Sequence, residues 1–282
     1  MAFINKHVRL KKELRLLDVY AIATGATLSA GFFLLPGIAS VKAGPALILS
    51  YMLAALPMIP ATFSVIELAT AMPRAGGVYY FLDRSLGPFF GTIGGIGTWL
   101  ALILKVAFAL VGMGAYIALY FPEIQIVPIA VTIAVLLGLI NLLGTKKSGG
   151  LQVALVFGLL SLLLVFITNG AFSVQTVHFD GFLAAGFDNI VSTAGLVYIS
   201  YVGVTKVASL SEEVKDPERT LPRAVFLSLA SAILIYGFGT TIIVGLVPPE
   251  ELHNNLTPVA TAAGYAMGFP GVVVLSVAAL LA

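Results

Sequence analysis

The chain contains no cysteine among its 282 residues. That absence excludes disulfide bridges and thiolate metal sites, and it says nothing firm about the compartment. Charge is also scarce, because only 10% of the residues are Asp, Glu, Lys or Arg, against roughly 25% in soluble domains. The composition therefore excludes an ordinary soluble domain.

Apolar residues, by contrast, are abundant and grouped in long runs. Hydrophobic residues make up 59% of the chain, and the mean hydropathy is +1.05. Several runs reach about 20 residues, the length that a helix needs to cross a hydrocarbon core. The sequence thus predicts an all-α polytopic membrane protein embedded in the lipid bilayer. We predict eight spans, at about 17–41, 45–71, 92–121, 126–144, 150–169, 187–210, 224–247 and 257–282.

The basic residues predict the orientation of these spans. If residues 1–16 form a basic N-terminal segment in the cytoplasm, 12 of the 15 Lys and Arg residues lie on the cytoplasmic side. This asymmetry follows the positive-inside rule, and it predicts a multi-pass protein of the cell membrane with a cytoplasmic N-terminus. The 12 residues are Lys6, Arg9, Lys11, Lys12, Arg15, Arg74, Arg84, Lys146, Lys147, Lys215, Arg219 and Arg223.

Two of the spans are interrupted by small or polar residues. The run "GATLSAGFFLLPG" (Gly25 to Gly37) lies in the middle of the first span, and Ser200, Tyr201 and Gly203 lie near the middle of the sixth. Broken helices five spans apart point to an inverted-repeat transporter, whose exposed amides suit a carboxylate and whose exposed carbonyls suit an ammonium or a cation. Small residues also permit close helix packing, and for the first span taken alone this alternative stays open.

Three motifs, taken together, resemble one family. They are "GATLSAGFFLLPG", "AMPRAGGVYYFLDRSLGP" (Ala71 to Pro88) and "SLSEEVKDPERTLPRA" (Ser209 to Ala224). They resemble the signatures of the amino acid permeases of the amino acid–polyamine–organocation superfamily. They also occur in the same order and on the expected side of the membrane. The resemblance implies an inverted-repeat fold of five plus five spans with broken first and sixth helices. Residues 17–169 would form the first repeat and 187–282 an incomplete second repeat (spans 6–8), so we expect a truncated chain.

The resemblance also implies which residues bind the substrate. Ser29, Ala30 and Gly31 align with the family's G-[ST]-G triplet, so the backbone amides around Ala30 and Gly31 would hold the substrate carboxylate. The carbonyl of Thr27 would face the α-amino group. The sixth span would add the carbonyls of Ile199 and Val202, a covering ring from Tyr201 and the helix break at Gly203.

Three ionisable residues within the spans are candidates for ion coupling: Lys105, Lys206 and Glu67. A lysine inside a span is costly, so it should face the bundle interior or water. One lysine could replace a bound sodium ion or take up a proton during transport, and snorkelling or an internal ion pair is the equally weighted alternative. For Glu67 we favour a structural pairing with an arginine such as Arg74 over proton carriage.

These features predict a secondary transporter that moves an amino acid by alternating access, coupled to protons or to exchange. A lysine near the side-chain pocket would repel cationic substrates, so a neutral amino acid is favoured. A non-transporting sensor or scaffold on the same fold, or a transporter of polyamines or other amines, remains an alternative. The sequence predicts no enzyme, no cofactor, no metal site, no sodium site that could be established and no nucleic-acid partner. It does not indicate the oligomeric state.

Overall fold

The computed structural model describes residues 11–142 and 148–282. Regular structure in these ranges is helical, which confirms the predicted all-α polytopic fold. The α-helices are α1 (Leu16–Phe33), α2 (Leu35–Ala43), α3 (Leu47–Ala71), α4 (Gly77–Leu86), α5 (Pro88–Ala118), α6 (Ile126–Leu142), α7 (Ser148–Ala171), α8 (Phe187–Val197), α9 (Pro217–Leu246), α10 (Pro249–Leu252) and α11 (Pro258–Leu281). Three 3₁₀ helices cover Gly44–Ala46, Thr176–Phe179 and Tyr198–Glu213.

The helices follow the predicted spans closely. Within the described residues, seven helical stretches are long and apolar enough to cross a membrane, and an eighth, Ile126–Leu139, is apolar but shorter. The helix α9 begins at Pro217 rather than at about 224, because proline is well suited to the first turn of a helix. The short helix α4 was not predicted and packs against α5.

Part of the orientation argument lies outside the described residues. This applies to Lys6, Arg9, Lys146 and Lys147, and to residues 1–10 of the predicted N-terminal segment. Among the described basic residues, Arg15, Arg74 and Lys215 lie in or next to segments that contact one another, and we call this end of the bundle the basic end.

The first span is broken where the sequence predicts. Ser29 has non-helical dihedral angles (φ −48°, ψ −133°), and Leu34 separates α1 from α2. A helical hydrogen bond requires helical dihedrals at every residue that it encloses. The carbonyls of Ala26 and Thr27 therefore cannot bond to the amides of Ala30 and Gly31, as they would in a continuous helix.

The sixth span changes helix type instead of opening. It is α-helical to Val197 and continues as a 3₁₀ helix over Tyr198–Glu213. Ser200, Tyr201 and Gly203, where the sequence predicts the interruption, all lie inside this 3₁₀ helix. Runs of 3₁₀ helix beyond three or four residues are uncommon, and a stretch in mid-helix often marks a hinge.

Helix α1 lies at the centre of the bundle. It packs against the 3₁₀ helix Tyr198–Glu213, against α9 and against α7, while α3 packs against α8, α9 and the same 3₁₀ helix. Glycines permit close approaches to α1: Gly203 contacts the backbone of Ala26, and Gly239 contacts the ring of Phe32. The broken part of the first span is thus enclosed on several sides by other helices.

Close packing of α2 gives a prediction about stability. A Cβ at Gly37 would overlap the backbone carbonyl of Asn255, which cannot rotate away as a side chain could. We expect Gly37→Ala to lower the free energy of unfolding by about 1–3 kcal/mol, measured as a lower unfolding temperature in detergent. The control is Gly138→Ala in α6, where a Cβ would meet open space. Equal stability of the two variants would contradict this account.

Candidate functional site

The carbonyls released by the break at Ser29 accept hydrogen bonds from side chains of other helices. The Tyr236 hydroxyl on α9 donates to the Thr27 carbonyl over 2.7 Å. The Lys105 ammonium on α5 donates to the Ala26 carbonyl over 2.8 Å. Because a buried carbonyl without a partner is costly in lipid, these donors compensate for the hydrogen bonds that the broken helix lacks.

The carbonyls beyond the break are also partnered by tyrosines. The Tyr51 hydroxyl on α3 donates to the Gly31 carbonyl over 2.7 Å. At the second irregular point of the span, beside Leu34, the Tyr116 hydroxyl donates to the Phe33 carbonyl over 2.9 Å. Tyrosines from α3, α5 and α9 thus hold both irregular points of the first span.

Three of these aromatic residues form a buried cluster. Tyr51, Tyr201 and Tyr236 have no exposed surface. The ring centroids of Tyr51 and Tyr236 are 5.0 Å apart, and the rings of Tyr201 and Tyr236 meet edge to face at 4.9 Å. The Tyr201 hydroxyl donates to the Tyr51 carbonyl over 3.1 Å. The cluster links the second, sixth and seventh spans next to the break.

The first and sixth spans touch at Gly31 and Ser200. A Cβ at Gly31 would lie 2.7 Å from both Cβ and Oγ of Ser200 and 2.9 Å from the Tyr236 hydroxyl oxygen. The Ser200 hydroxyl donates to the Gly31 carbonyl over 3.4 Å, and the Tyr236 hydroxyl lies 3.3 Å from the Ser200 carbonyl. One tyrosine hydroxyl therefore reaches carbonyls of both spans, and the interior is closed at this point.

The residues predicted to bind substrate have different degrees of burial. Thr27, Ala30, Gly31, Tyr201 and Gly203 are buried, Ser29 and Val202 are half-buried, and Ile199 is 37% exposed. The Val202 carbonyl accepts a hydrogen bond from the Thr205 hydroxyl over 2.8 Å. The structure brings the five buried residues together around the break, whereas the Ile199 side chain lies at the surface.

Among the coupling candidates, Lys105 lies nearest the break. It is half-buried and contacts the Ala26 carbonyl, and it lies close enough to Lys206 for the two positive charges to repel each other. Lys206 is exposed and follows Gly203 by one 3₁₀ turn. Of the two lysines, Lys105 is therefore the one that contacts a carbonyl at the break.

Glu67 does not take the partner that the sequence suggested. Its side chain is exposed on α3. Arg74 instead lies 3.9 Å from the carboxylate of Glu212, which follows the sixth span. The predicted Glu67–Arg74 pairing is wrong, because proximity in sequence suggested a partner that the helix packing does not bring together.

The sequence argument missed the tyrosines that satisfy the break. Tyr51 and Tyr236 lie well inside apolar spans, and each hydroxyl needs a partner there. Their position within apolar spans indicates that each hydroxyl makes a polar contact inside the bundle. Which carbonyl each hydroxyl reaches depends on how α3 and α9 pack against α1, and a single sequence does not contain that information.

Fold and site together define a polytopic membrane protein whose interior contains a broken helix with converging carbonyl groups. Such carbonyls can accept hydrogen bonds from an ammonium group, and the start of the second half-helix at Ala30 favours an anion. The model of the amino acid permease family matches residues 14–282. The chain belongs to the amino acid permease family.

Relatives in this family carry names that specify different substrates. The chain is 30% identical over 271 residues to the branched-chain amino acid permease BcaP of Bacillus subtilis, covering 89% of this chain and 58% of that protein. It is 28% identical to the vacuolar cationic amino acid transporter 4 of Arabidopsis thaliana, over 91% of this chain and 46% of that protein. It is 25% identical to the methylthioribose transporter of Bacillus subtilis, over 88% of this chain and 58% of that protein. The chain thus spans less than two thirds of the length of these relatives.

The role of Tyr236 in supporting the break can be tested by removing its hydroxyl. We expect Tyr236→Phe to destabilise the protein by about 1–3 kcal/mol, because the buried Thr27 carbonyl then lacks a donor. The measurement is the unfolding temperature in detergent. Tyr265→Phe is the control, since its hydroxyl bonds to Glu251 at an exposed site. If both variants unfold at the same temperature, Tyr236 does not support the break.

Proposed function

We propose that the chain acts in secondary transport of a neutral amino acid across the cell membrane by alternating access, with its N-terminus in the cytoplasm. Membership of the amino acid permease family supports this proposal. The observation that carries it is the break at Ser29, which releases the Thr27 carbonyl to the Tyr236 hydroxyl, and this hydroxyl also lies 3.3 Å from the Ser200 carbonyl of the sixth span. Because the chain covers only part of its relatives' length, the activity of the whole transporter is part of the proposal.

In the proposed binding mode, the two half-helices of the first span bind opposite ends of the substrate. The carbonyl of Thr27 accepts the α-ammonium, and the amides around Ala30 and Gly31 hold the carboxylate. The Tyr236 hydroxyl donates to the Thr27 carbonyl in this closed structure. In this mode, substrate entry separates Gly31 from Ser200, and the ammonium joins or replaces Tyr236 as a donor to that oxygen.

The sixth span completes the proposed binding mode. The carbonyls of Ile199 and Val202 turn toward the amino group once the 3₁₀ helix rearranges. The ring of Tyr201, which packs on Tyr236 here, covers the bound substrate. Gly203 keeps the two spans close enough for both to contact one small molecule.

A neutral substrate is favoured by the lysine pair. Lys105 contacts the Ala26 carbonyl, and Lys206 lies close enough to Lys105 for the two positive charges to repel each other. A cationic side chain entering the same region would add a third positive charge. The names of the relatives refer to branched-chain amino acids, cationic amino acids and methylthioribose, so this local charge supports the choice more than any single name does.

We assign ion coupling first to Lys105. Its ammonium contacts the carbonyl at the C-terminal end of the first half-helix, where the helix dipole favours a positive charge. Loss of its proton, or displacement by a substrate ammonium, would weaken this contact and release the break. Coupling to protons or to exchange would act through that contact. Lys206 is the second candidate for coupling, and the exposed Glu67 is the weakest.

Ligand binding can be measured by thermal stabilisation in detergent with a panel of twenty amino acids and several polyamines. A ligand at 100 times its dissociation constant should add about 2.7 kcal/mol to the free energy of unfolding. We expect a shift for neutral amino acids that Gly31→Val abolishes, because valine would collide with Ser200 and Tyr236. Gly97→Val in α5 is the control, since a Cβ there meets open space. An unchanged amino acid affinity in Gly31→Val would defeat the site assignment.

Uptake by proteoliposomes tests transport and coupling. We expect Lys105→Met to flatten the pH dependence of amino acid uptake, because it removes the ammonium that contacts Ala26. Lys206→Ala tests the second candidate in the same assay, and Lys42→Met, in the last turn of α2, is the control. A variant with an unaltered pH profile removes that lysine from the mechanism. Ligand stabilisation without any uptake would favour the sensor alternative.

A further inference from the structure

Two positive charges lie close together within the spans. Lys105 is on α5 in the third span, and Lys206 is on the 3₁₀ helix Tyr198–Glu213 of the sixth span. The two side chains are close enough for their charges to repel each other. Charged side chains inside membrane spans are costly, and they usually pair with an opposite charge. A pair of like charges in this position therefore needs a physical explanation.

The Ala26 carbonyl of the first span relates the two lysines to each other. The Lys105 ammonium donates to this oxygen over 2.8 Å. Gly203 packs against the same carbonyl group, where a Cβ would overlap it. Side chains three residues apart eclipse each other in a 3₁₀ helix. Lys206 therefore leaves the helix on the face that Gly203 turns to Ala26, one turn and about 6 Å nearer the basic end.

Most hydrogen-bond donors of the lysine pair have no protein acceptor. Each ammonium has three N–H groups. Within residues 11–142 and 148–282, the Lys105 ammonium bonds to the Ala26 carbonyl alone, and the one ion pair joins Arg74 to Glu212. The remaining N–H groups of both lysines are thus available to an acceptor that the described part of the chain does not supply.

The carboxylates of the first and sixth spans lie far from the pair along their helices. On α1, Asp18 comes eight residues before Ala26, which is about 12 Å in an α-helix. On the sixth span, Glu212 comes six residues after Lys206, which is about 12 Å in a 3₁₀ helix, and it already pairs with Arg74.

The neighbouring helices do not bring a carboxylate closer. Of the helices that pack against α1, α5 and α7 contain no acidic residue. Glu67 is exposed on α3. On α4, Asp83 packs against Gly91, which is 14 residues and about 21 Å from Lys105 along α5. Among the described residues the pair is therefore not neutralised by the protein, and an anion from solution can take that role.

The surroundings of the pair favour a small anion. Gly203 leaves no room for even a Cβ beside the Ala26 carbonyl, whereas Lys206 is exposed and so can be reached from solution. A lysine ammonium is a compact point charge whose donors have no fixed fork geometry. A monatomic anion accepts N–H groups from any direction, so it suits two ammonium groups better than a carboxylate or sulfate does.

We propose that Lys105 and Lys206 form a binding site for one small monovalent anion such as chloride, between the third and sixth spans. The anion accepts N–H groups from both ammonium groups and offsets their repulsion. The site requires only the closed structure, so it does not depend on the proposed transport activity. If water or the loss of a proton relieved the repulsion instead, stability would not depend on which anion is present.

Exchange of sodium chloride for sodium gluconate at constant ionic strength tests the site in detergent. We expect the unfolding temperature to rise with chloride and to reach a plateau, by roughly 5–10 °C when chloride is at 100 times its dissociation constant. A general salt effect has no such plateau. Equal unfolding temperatures at every ratio of chloride to gluconate would overturn the proposal.

Lys206→Met is the decisive variant, because Lys206 is exposed and its removal costs no contact with Ala26. We expect this variant to lose the chloride-dependent rise. In gluconate it should unfold at or above the temperature of the wild-type protein, since the repulsion is gone. Lys206→Arg retains the charge and should keep part of the rise, and Lys42→Met in the last turn of α2 is the control that keeps all of it. A full chloride response in Lys206→Met would contradict the site.

Bromide locates the anion directly, because it can replace chloride and scatters X-rays anomalously. In crystals grown with sodium bromide, we expect an anomalous peak between the ammonium groups of Lys105 and Lys206, and no such peak in Lys206→Met. A wild-type crystal without a peak at the pair would overturn the proposal. A protein that binds bromide there but takes up no amino acid would support this site and contradict the proposed function, so the two failures are distinguishable.

Discussion

The structure depends on the need to satisfy backbone carbonyls in a helix that is broken inside an apolar bundle. The bilayer supplies no water to the oxygens released at Ser29, so the protein supplies donors. Tyr236 and Lys105 reach Thr27 and Ala26 from the seventh and third spans, and Tyr51 reaches Gly31 from the second. The break is therefore also the point that determines how these helices pack against the first span.

The same donors define what a ligand must do. In the proposed binding mode, an ammonium on the Thr27 carbonyl would share or displace the Tyr236 hydroxyl that donates to it, so the net affinity would be smaller than the new interaction alone. The tight contact between Gly31 and Ser200 adds the cost of separating two spans. A site of this kind is stable when it is closed and empty. Part of the binding free energy of a substrate would therefore be used to separate the two spans.

The sequence predicted the spans well because hydropathy over about 20 residues is a strong signal. It predicted the break at Ser29 because small and polar residues in mid-span weaken a helix. It did not predict the 3₁₀ helix of the sixth span, since both helix types bury a similar apolar pattern. It assigned Arg74 to Glu67, which is near in sequence, whereas the fold brings Glu212 to that arginine. The sequence likewise did not predict the tyrosine contacts, because they depend on the packing of helices that are distant in sequence.

The length of the 3₁₀ helix has a mechanical consequence. It contains 16 residues, and a 3₁₀ helix rises about 2.0 Å per residue against about 1.5 Å in an α-helix. Conversion of the whole segment to α-helix would shorten it by roughly 8 Å and rotate one end against the other, because the number of residues per turn also changes. Such a conversion would move the two ends of the sixth span toward each other along its axis, and it would need no hinge outside the helix.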